Sequence, residues 1–504
     1  MKRVALLAGL LVLTFGCRGE KAPVQTVDPP LKETAKEEAL RRSPAWWDSE
    51  NHGKQLNTDI NGVMCFRGNP QRNYVGEGPI PTGNLSVLWR HRVGGVPSGH
   101  WSGVGWTGQP LIVEWPASTR RWMNFTNPPG PDREIICGAL DGQVHFLDAD
   151  TGEPSRPPLP MPYPYPIKGT VSVDPRGYPL LFVGCGIPVG KLPGYRVFSL
   201  LDFKELLVLP GNDRDAPRHW VGSDSNALIL KDTFFEPTEN GLFYKIKLNA
   251  TWDADTGKLG FAPKIQKVVL TKEGCEGSMA VWNDLGYVTD NLGVVREIDL
   301  NDPAKFRTVI EMGDDCDSSP VFLKDGTFVM GVEKDTRLDP KAKGAICRID
   351  PQQGKALWRW EFDAGKVYGE RPLNGGVLST AGLYEPEDGP PLVFFTTSHH
   401  PKVGRGFLLA LNAETGKLVW KHPMRAFGWS SPICVGGVVF AADSTGAAMV
   451  RDAKTGESLL TDAEGKKIEF MELGANVESS PIVWYGRIYV GLRGGAIICI
   501  GQKA

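Results

Sequence analysis

Carboxylates carry the first chemical signal in this chain. Asp224, Glu276, Asp317 and Glu478 each stand just before a short serine- or glycine-led segment that opens an apolar run. Thr107, Lys168, Leu378 and Trp429 hold the same place in other copies of that pattern. If these eight positions ring one channel, four carboxylates, an ammonium and an indole line it. Oxygen-rich clusters of this kind suit Ca²⁺ or a small polar ligand. Like charges gathered in a narrow opening raise one another's pKa unless a cation offsets them. The plainer reading is a polar channel that simply faces water. On either reading Asp224, Glu276, Asp317, Trp429, Glu478 and Lys168 are the candidate ligand- or cation-binding residues.

The nine cysteines fall into groups. Cys137, Cys347, Cys434 and Cys499 sit in apolar runs and read as small core residues. Cys65 and Cys185 have no evident partner. Cys275 and Cys316 directly precede Glu276 and Asp317 in consecutive units, which predicts a disulfide between neighbouring units if the compartment is oxidising. The stretch GCGIPVGK at 184–191 has the wrong spacing for a phosphate loop, and Leu192 stands where Ser or Thr is needed. His399 and His400 are adjacent, so on a strand they point to opposite faces and poorly share one metal. No nucleophile–base–acid constellation and no C-x-x-C-H haem motif appears, and no catalytic residue is assigned.

The elements that would position these groups are repeated. Asp148-Ala-Asp-Thr-Gly152 returns as Asp253-Ala-Asp-Thr-Gly257, with variants starting at Asp350, Asn412 and Asp452 and weaker copies at Asp202 and Asp299. The period is near fifty residues. Asp or Asn opens a turn by bonding the backbone two residues on, and Gly closes it with a positive φ. Alternating apolar segments flank each turn, as in GFLLALNAETGKLVW at 406–420, which makes a hairpin. Ser-Ser-Pro at 318–320, 430–432 and 479–481 opens a second hairpin. Each unit is therefore four antiparallel strands, the pattern of a propeller blade. Seven units lie between residues 107 and 474. The eighth begins at Val477 and lacks a fourth strand, which 85–91 supplies, since LSVLWRH matches the strand after other turns. The fold class is all-β: an eight-bladed propeller closed by its N-terminal strand.

The pattern A-L-[DN]-A-x-T-G-K-x-x-W resembles the repeat of pyrroloquinoline-quinone-dependent dehydrogenases and their non-enzymatic relatives, among them the propeller lipoprotein of outer-membrane barrel assembly. The resemblance spans roughly residues 65–502. CFRGNPQRN at 65–73 and GVGWTGQPLIVEWP at 103–116 resemble a less characterised bacterial subgroup. The dehydrogenases imply PQQ and Ca²⁺ in the central channel, and alcohol-oxidising members often carry a vicinal Cys-Cys pair, which this chain lacks. Fold alone does not decide between them. The leading expectation is a non-enzymatic envelope protein binding protein partners or a small polar ligand. The alternative is a periplasmic PQQ-dependent oxidoreductase.

The N-terminus bears on compartment. Lys2 and Arg3 precede an apolar run from Val4 to Phe15, which ends in Thr14-Phe15-Gly16-Cys17. That is an export signal over 1–16. It resembles a lipobox with Thr14 where the family prefers Leu, and implies lipidation at Cys17. Arg18, rather than Asp, follows, which by the same resemblance favours the outer membrane facing the periplasm. Residues 17–60 read as a polar tether, and 61–504 as the propeller. A flexible tether of that length reaches roughly 40 Å. The proline run PSRPPLPMPYPYP at 154–166 is expected to be extended and exposed. The formal net charge of −2 shows no basic excess for nucleic acid.

Overall fold

In the computed structural model the described residues are 45–56, 60–95, 102–106, 108–163, 165–186, 194–335, 341–368 and 373–503. Cys17, the export segment, Thr107 and most of the GCGIPVGK stretch lie outside them.

Eight antiparallel sheets follow one another, and each is a blade. Their innermost strands begin at Leu111, Ser172, Leu228, Ala280, Val321, Gly382, Ile433 and Ile482, and define blades 1 to 8. Blade 6 is the plain case: Gly382–Tyr384, Leu392–Thr396, Phe407–Asn412 and Leu418–Pro423. Second strands such as LVFFT are buried on both faces because each blade is covered on both sides. An outer strand such as KALWRWEF (355–362) alternates exposed and half-buried positions, because one face meets solvent. Leu85–Arg92 completes blade 8 by pairing with Ala496–Gln502, from Leu85 opposite Gln502 to Arg92 opposite Ala496. The ring therefore closes on the N-terminal strand.

The core is eight cores. Each buried cluster joins two neighbouring blades, from Val113 and Val173 between blades 1 and 2 around to Tyr489 and Ile135 between blades 8 and 1. Every fully buried Leu, Ile or Phe in such a seam contributes about 1.5–3 kcal/mol.

The repeat motifs hold these seams together. Asp148 Oδ1 accepts from the amides of Asp150 and Thr151, and Asn412 and Asp452 do the same in their turns. The alanine carbonyl of the turn accepts the indole N–H of the preceding blade: Trp89 to Ala149 at 3.1 Å, Trp358 to Ala413 at 2.8 Å and Trp420 to Ala453 at 2.9 Å. The turn's glycine has φ near +70° and lies under the same indole; a Cβ on Gly152 would fall 2.5 Å from Trp89. The copy at Asp253 differs. It tips an extra hairpin, Thr251–Asp253 with Lys258–Gly260, and Ala254 there accepts from Trp122 of blade 1.

Three expectations are corrected. Residues 45–56, assigned to the tether, pack on the disc. Trp47 is buried in the seam of blades 3 and 4 and donates its amide to the Asn283 carbonyl, and Trp46 stands edge-on to Phe235 at 5.1 Å. The proline run is not exposed throughout. Leu159–Pro160 is the outer strand of blade 1, and Leu159, Met161 and Tyr165 alternate into the first seam. Cys275 and Cys316 are free, buried thiols. Cys275 packs between blades 3 and 4 and Cys316 between blades 4 and 5, so equivalent positions belong to different seams and the expected bridge does not form.

Candidate functional site: the acid-lined mouth of the channel

Ser-Ser-Pro opens the innermost strands of blades 5, 7 and 8, and equivalent short segments open the others. In blade 5 its two hydroxyls have separate tasks. The first ties the strand to its own blade: Ser318 Oγ accepts from the Gly331 amide, and in blade 8 Ser479 Oγ accepts from Gly491. The second links blade to blade around the channel. The amide of Asn226 donates to Ser278, Ser278 to Ser319, Ser319 to Thr380, and Thr380 to Ser431, at 2.9–3.1 Å. The Ser480 backbone amide donates to the Gly108 carbonyl across the closing seam. Residues just before this hydroxyl belt therefore lie at one end of the channel.

There the structure gathers Lys168, Asp224 and Glu276 into one group. Lys168 pairs with Asp224, and its ammonium lies 5.8 Å from the Trp106 ring centre. Glu239 joins them: its carboxylate oxygen and those of Asp224 and Glu276 lie within 4.8 Å of one another. Asp317 instead meets Asp315 and Glu333 in a second group of the same dimensions, wholly buried. Glu478 is held by Arg493 at 2.9 Å and by Asn476 at 3.0 Å. Trp429 donates to Ser398 Oγ at 3.0 Å. The six candidates are thus divided among four neighbourhoods, and two of them hold three carboxylates each. Among the histidines, His399 Nδ1 accepts from the Gly404 amide while His400 Nδ1 meets the Asp363 carbonyl, so they serve different contacts.

Burial decides the protonation of these groups. It pushes Glu239 well above the usual carboxyl range, with Asp224 and Glu276 adding to the effect. It does the same to Glu333, helped by Asp317 and Asp315. Asp224 is also raised by burial, against the pull of Lys168. For Lys168 burial works against the charge, but Asp224, Glu276 and Glu239 outweigh it and keep the ammonium charged.

A raised folded pKa favours folding below the ordinary carboxyl pKa, and that benefit is lost as pH rises toward the raised value. Glu333→Gln keeps a hydrogen-bonding amide without the proton equilibrium. The variant should therefore melt higher than wild type at pH 8, and the gain should shrink as pH falls toward the ordinary glutamate range near 4.5. Melting curves across that window test this; a gain independent of pH would show that Glu333 is not held protonated.

The opposite end of the channel is closed by residues 63–76, the CFRGNPQRN region. Asn61–Val63 pairs with Leu111–Glu114 of blade 1 and Gly76–Glu77 runs parallel to Ile482–Trp484 of blade 8. Between them the chain meets every other blade. The Met64 carbonyl accepts from Val173, the Phe66 amide donates to Asn226, the Pro70 carbonyl accepts from Val281 and the Gln71 carbonyl from Phe322. Arg67 donates to the carbonyls of Ala381 and Pro432, in blades 6 and 7. Both Arg67 and Arg72 are buried.

Residues 342–502 match the family model described as "Outer membrane protein assembly factor BamB". No curated protein sequence matches the chain. Among solved structures, BamB from Moraxella catarrhalis aligns over 83% of this chain and 98% of its own at 13% identity, with a TM-score of 0.45. A quinohemoprotein alcohol dehydrogenase, ADHIIG from Pseudomonas putida, aligns over 88% of this chain and 81% of its own at 12% identity, with a TM-score of 0.53. Identities this low speak to the fold alone. The family match thus covers residues 342–502, and the described residues close into eight blades, the fold of a PQQ-like repeat propeller.

Proposed function

We propose that this propeller is a non-enzymatic envelope protein that receives a cationic group at the acid-lined mouth, either a basic segment of a protein partner or a small cation. The observation that carries the reading is the gathering of carboxylates there in two groups of three. Lys168 is engaged by Asp224, Arg493 by Glu478, Lys366 by Asp335, and Arg218 by the Glu239 carbonyl. The two groups are Asp224 with Glu239 and Glu276, and Asp315 with Asp317 and Glu333. Apolar surface borders them: Trp220 beside Arg218 and Glu239, and Tyr368, 69% exposed, beside Lys366. Acid with exposed aromatic side chains suits a protein partner. The export signal and Cys17 support a lipid-anchored placement in the envelope, probed by comparing acyl labelling of the chain with that of Cys17→Ser.

The fold family implies PQQ, and the residues at the mouth fit it poorly. That quinone is a tricarboxylate and needs cationic donors, whereas among the described residues Lys168, Arg493 and Lys366 already pair with carboxylates and acidic side chains predominate. Incubating the purified chain with PQQ and Ca²⁺, then desalting, should leave no quinone absorbance and no dye-linked alcohol oxidation. Retained quinone with turnover would overturn this reading in favour of the oxidoreductase.

A further inference from the structure

Away from the mouth, two histidines face each other across the seam that closes the ring. His91 lies on the closing strand of blade 8, and His145 on the third strand of blade 1. His91 Nε2 and His145 Nδ1 are 3.3 Å apart. The other nitrogen of His145, Nε2, meets Asp141 Oδ2 at 2.9 Å. Asp141 is itself fixed by the amides of Gln143 at 3.1 Å and Gly94 at 3.3 Å.

The consequence for the protons is direct. Asp141 draws the His145 proton to Nε2 and leaves a lone pair on Nδ1, aimed at His91. At 3.3 Å the pair is long for a hydrogen bond. It does match another geometry: two imidazole nitrogens bound at about 2.05 Å to a tetrahedral ion lie about 3.3 Å apart. A carboxylate on the remote nitrogen of a histidine is also the usual second partner of a metal-bound imidazole. His91 is half-buried, so the site opens to water on one side, and the exposed Glu153 is close enough to act on His91 electrostatically. Burial, helped by His145, keeps His91 below its ordinary pKa.

We propose that His91 Nε2 and His145 Nδ1 bind a divalent transition-metal cation of the Zn²⁺ class, with Asp141 positioning His145 and water or Glu153 completing the tetrahedron. Neutral imidazole suits such ions, whereas the all-oxygen mouth suits harder ones. Because the ligands come from the closing strand and from blade 1, the ion joins the last blade to the first. Binding would raise the stability of the closed ring through linkage.

The test uses the untagged full chain. Zn²⁺ should raise its melting temperature, and Co²⁺ should give the intense visible bands of four-coordinate cobalt. His91→Gln, at a half-exposed position that leaves the core intact, should abolish both signals. Asp141→Asn should weaken Co²⁺ binding about 10–100-fold without abolishing it. His422→Gln, on the outer strand of blade 6, should change neither. Absence of a tetrahedral cobalt spectrum in the wild-type chain would overturn the proposal. So would a spectrum that survives His91→Gln, since the ion would then sit elsewhere.

Discussion

Glu134→Leu should lower the stability of this protein by about 3–5 kcal/mol, the usual consequence of stranding one member of a buried ion pair. Glu134 and Arg156 are both fully buried at the rim of the first seam, joined at 2.6 Å and 2.8 Å. The carboxylate also accepts from Trp115 Nε1 at 2.9 Å and Ser155 Oγ at 2.6 Å, and the guanidinium lies 4.3 Å from the Phe125 ring centre. Removing the carboxylate leaves a cation in an apolar seam with only the Leu200 carbonyl and a thioether near it. The double variant Glu134→Leu/Arg156→Met should recover part of the loss, because it removes the stranded charge while leaving Trp115 and Ser155 without their acceptor. Urea unfolding of wild type, both single variants and the double variant measures this. Single variants costing less than about 1 kcal/mol would place the pair among weak surface-like bridges.

Arg72→Met should have a comparable effect for a different reason. Arg72 is wholly buried in the segment that closes the channel, and it donates to the carbonyls of Met279 at 2.8 Å and Phe66 at 2.6 Å and to Asn226 Oδ1 at 3.3 Å. Methionine fills similar space but takes the guanidinium donors from the Met279 and Phe66 carbonyls, at about 1–3 kcal/mol each, while Asn226 Oδ1 keeps the Phe66 amide. A loss of about 3–5 kcal/mol is expected, measured as a shift in the urea midpoint. The plug contacts all eight blades, so loosening it should also raise amide exchange at Val173, Val281 and Phe322, whose N–H groups it accepts. Unchanged stability with unchanged exchange would mean that the plug is a passenger on a self-sufficient ring.

The contrast between these two sites shows what the sequence makes visible. Blades were legible because their signals lie close together in sequence: an Asx turn, a glycine with positive φ and a tryptophan a few residues on mark each hairpin, although the indole then clasps the turn of the next blade. Closure by 85–92 followed from a missing strand and a matching tryptophan. The plug was invisible because Arg67 and Arg72 bind backbone carbonyls, which leave no mark on the residues that supply them. Cys275 and Cys316 misled because like positions in successive blades look equivalent in sequence, yet each faces its own seam. The proline run misled because its composition outweighed the inward alternation of Leu159, Met161 and Tyr165.

The mouth was half legible. Aligning the units located Lys168, Asp224, Glu276 and Asp317 before their inner strands. It missed the residues that answer them from the return of the same hairpin. Glu239 follows Asp224 by fifteen residues, Asn291 follows Glu276 by fifteen and Arg493 follows Glu478 by fifteen, while Glu333 follows Asp317 by sixteen. Asn291 donates to Glu276 at 2.9 Å and the Asp224 amide donates to Glu239 at 3.1 Å, so the spacing reflects real contact. A search for polar residues fifteen or sixteen positions after these channel residues would have found all four.

The central claim is that the acidic end of the channel accepts cations. Calorimetric titration of the purified chain with Ca²⁺, alongside Asp317→Asn and Glu276→Gln, tests it most directly. The account predicts binding by the wild-type chain, release of protons from the raised carboxyls Glu239 and Glu333 as the ion enters, and weaker binding in each variant. A wild-type chain that shows no heat at millimolar Ca²⁺, or binding that persists unchanged in both variants, would contradict it.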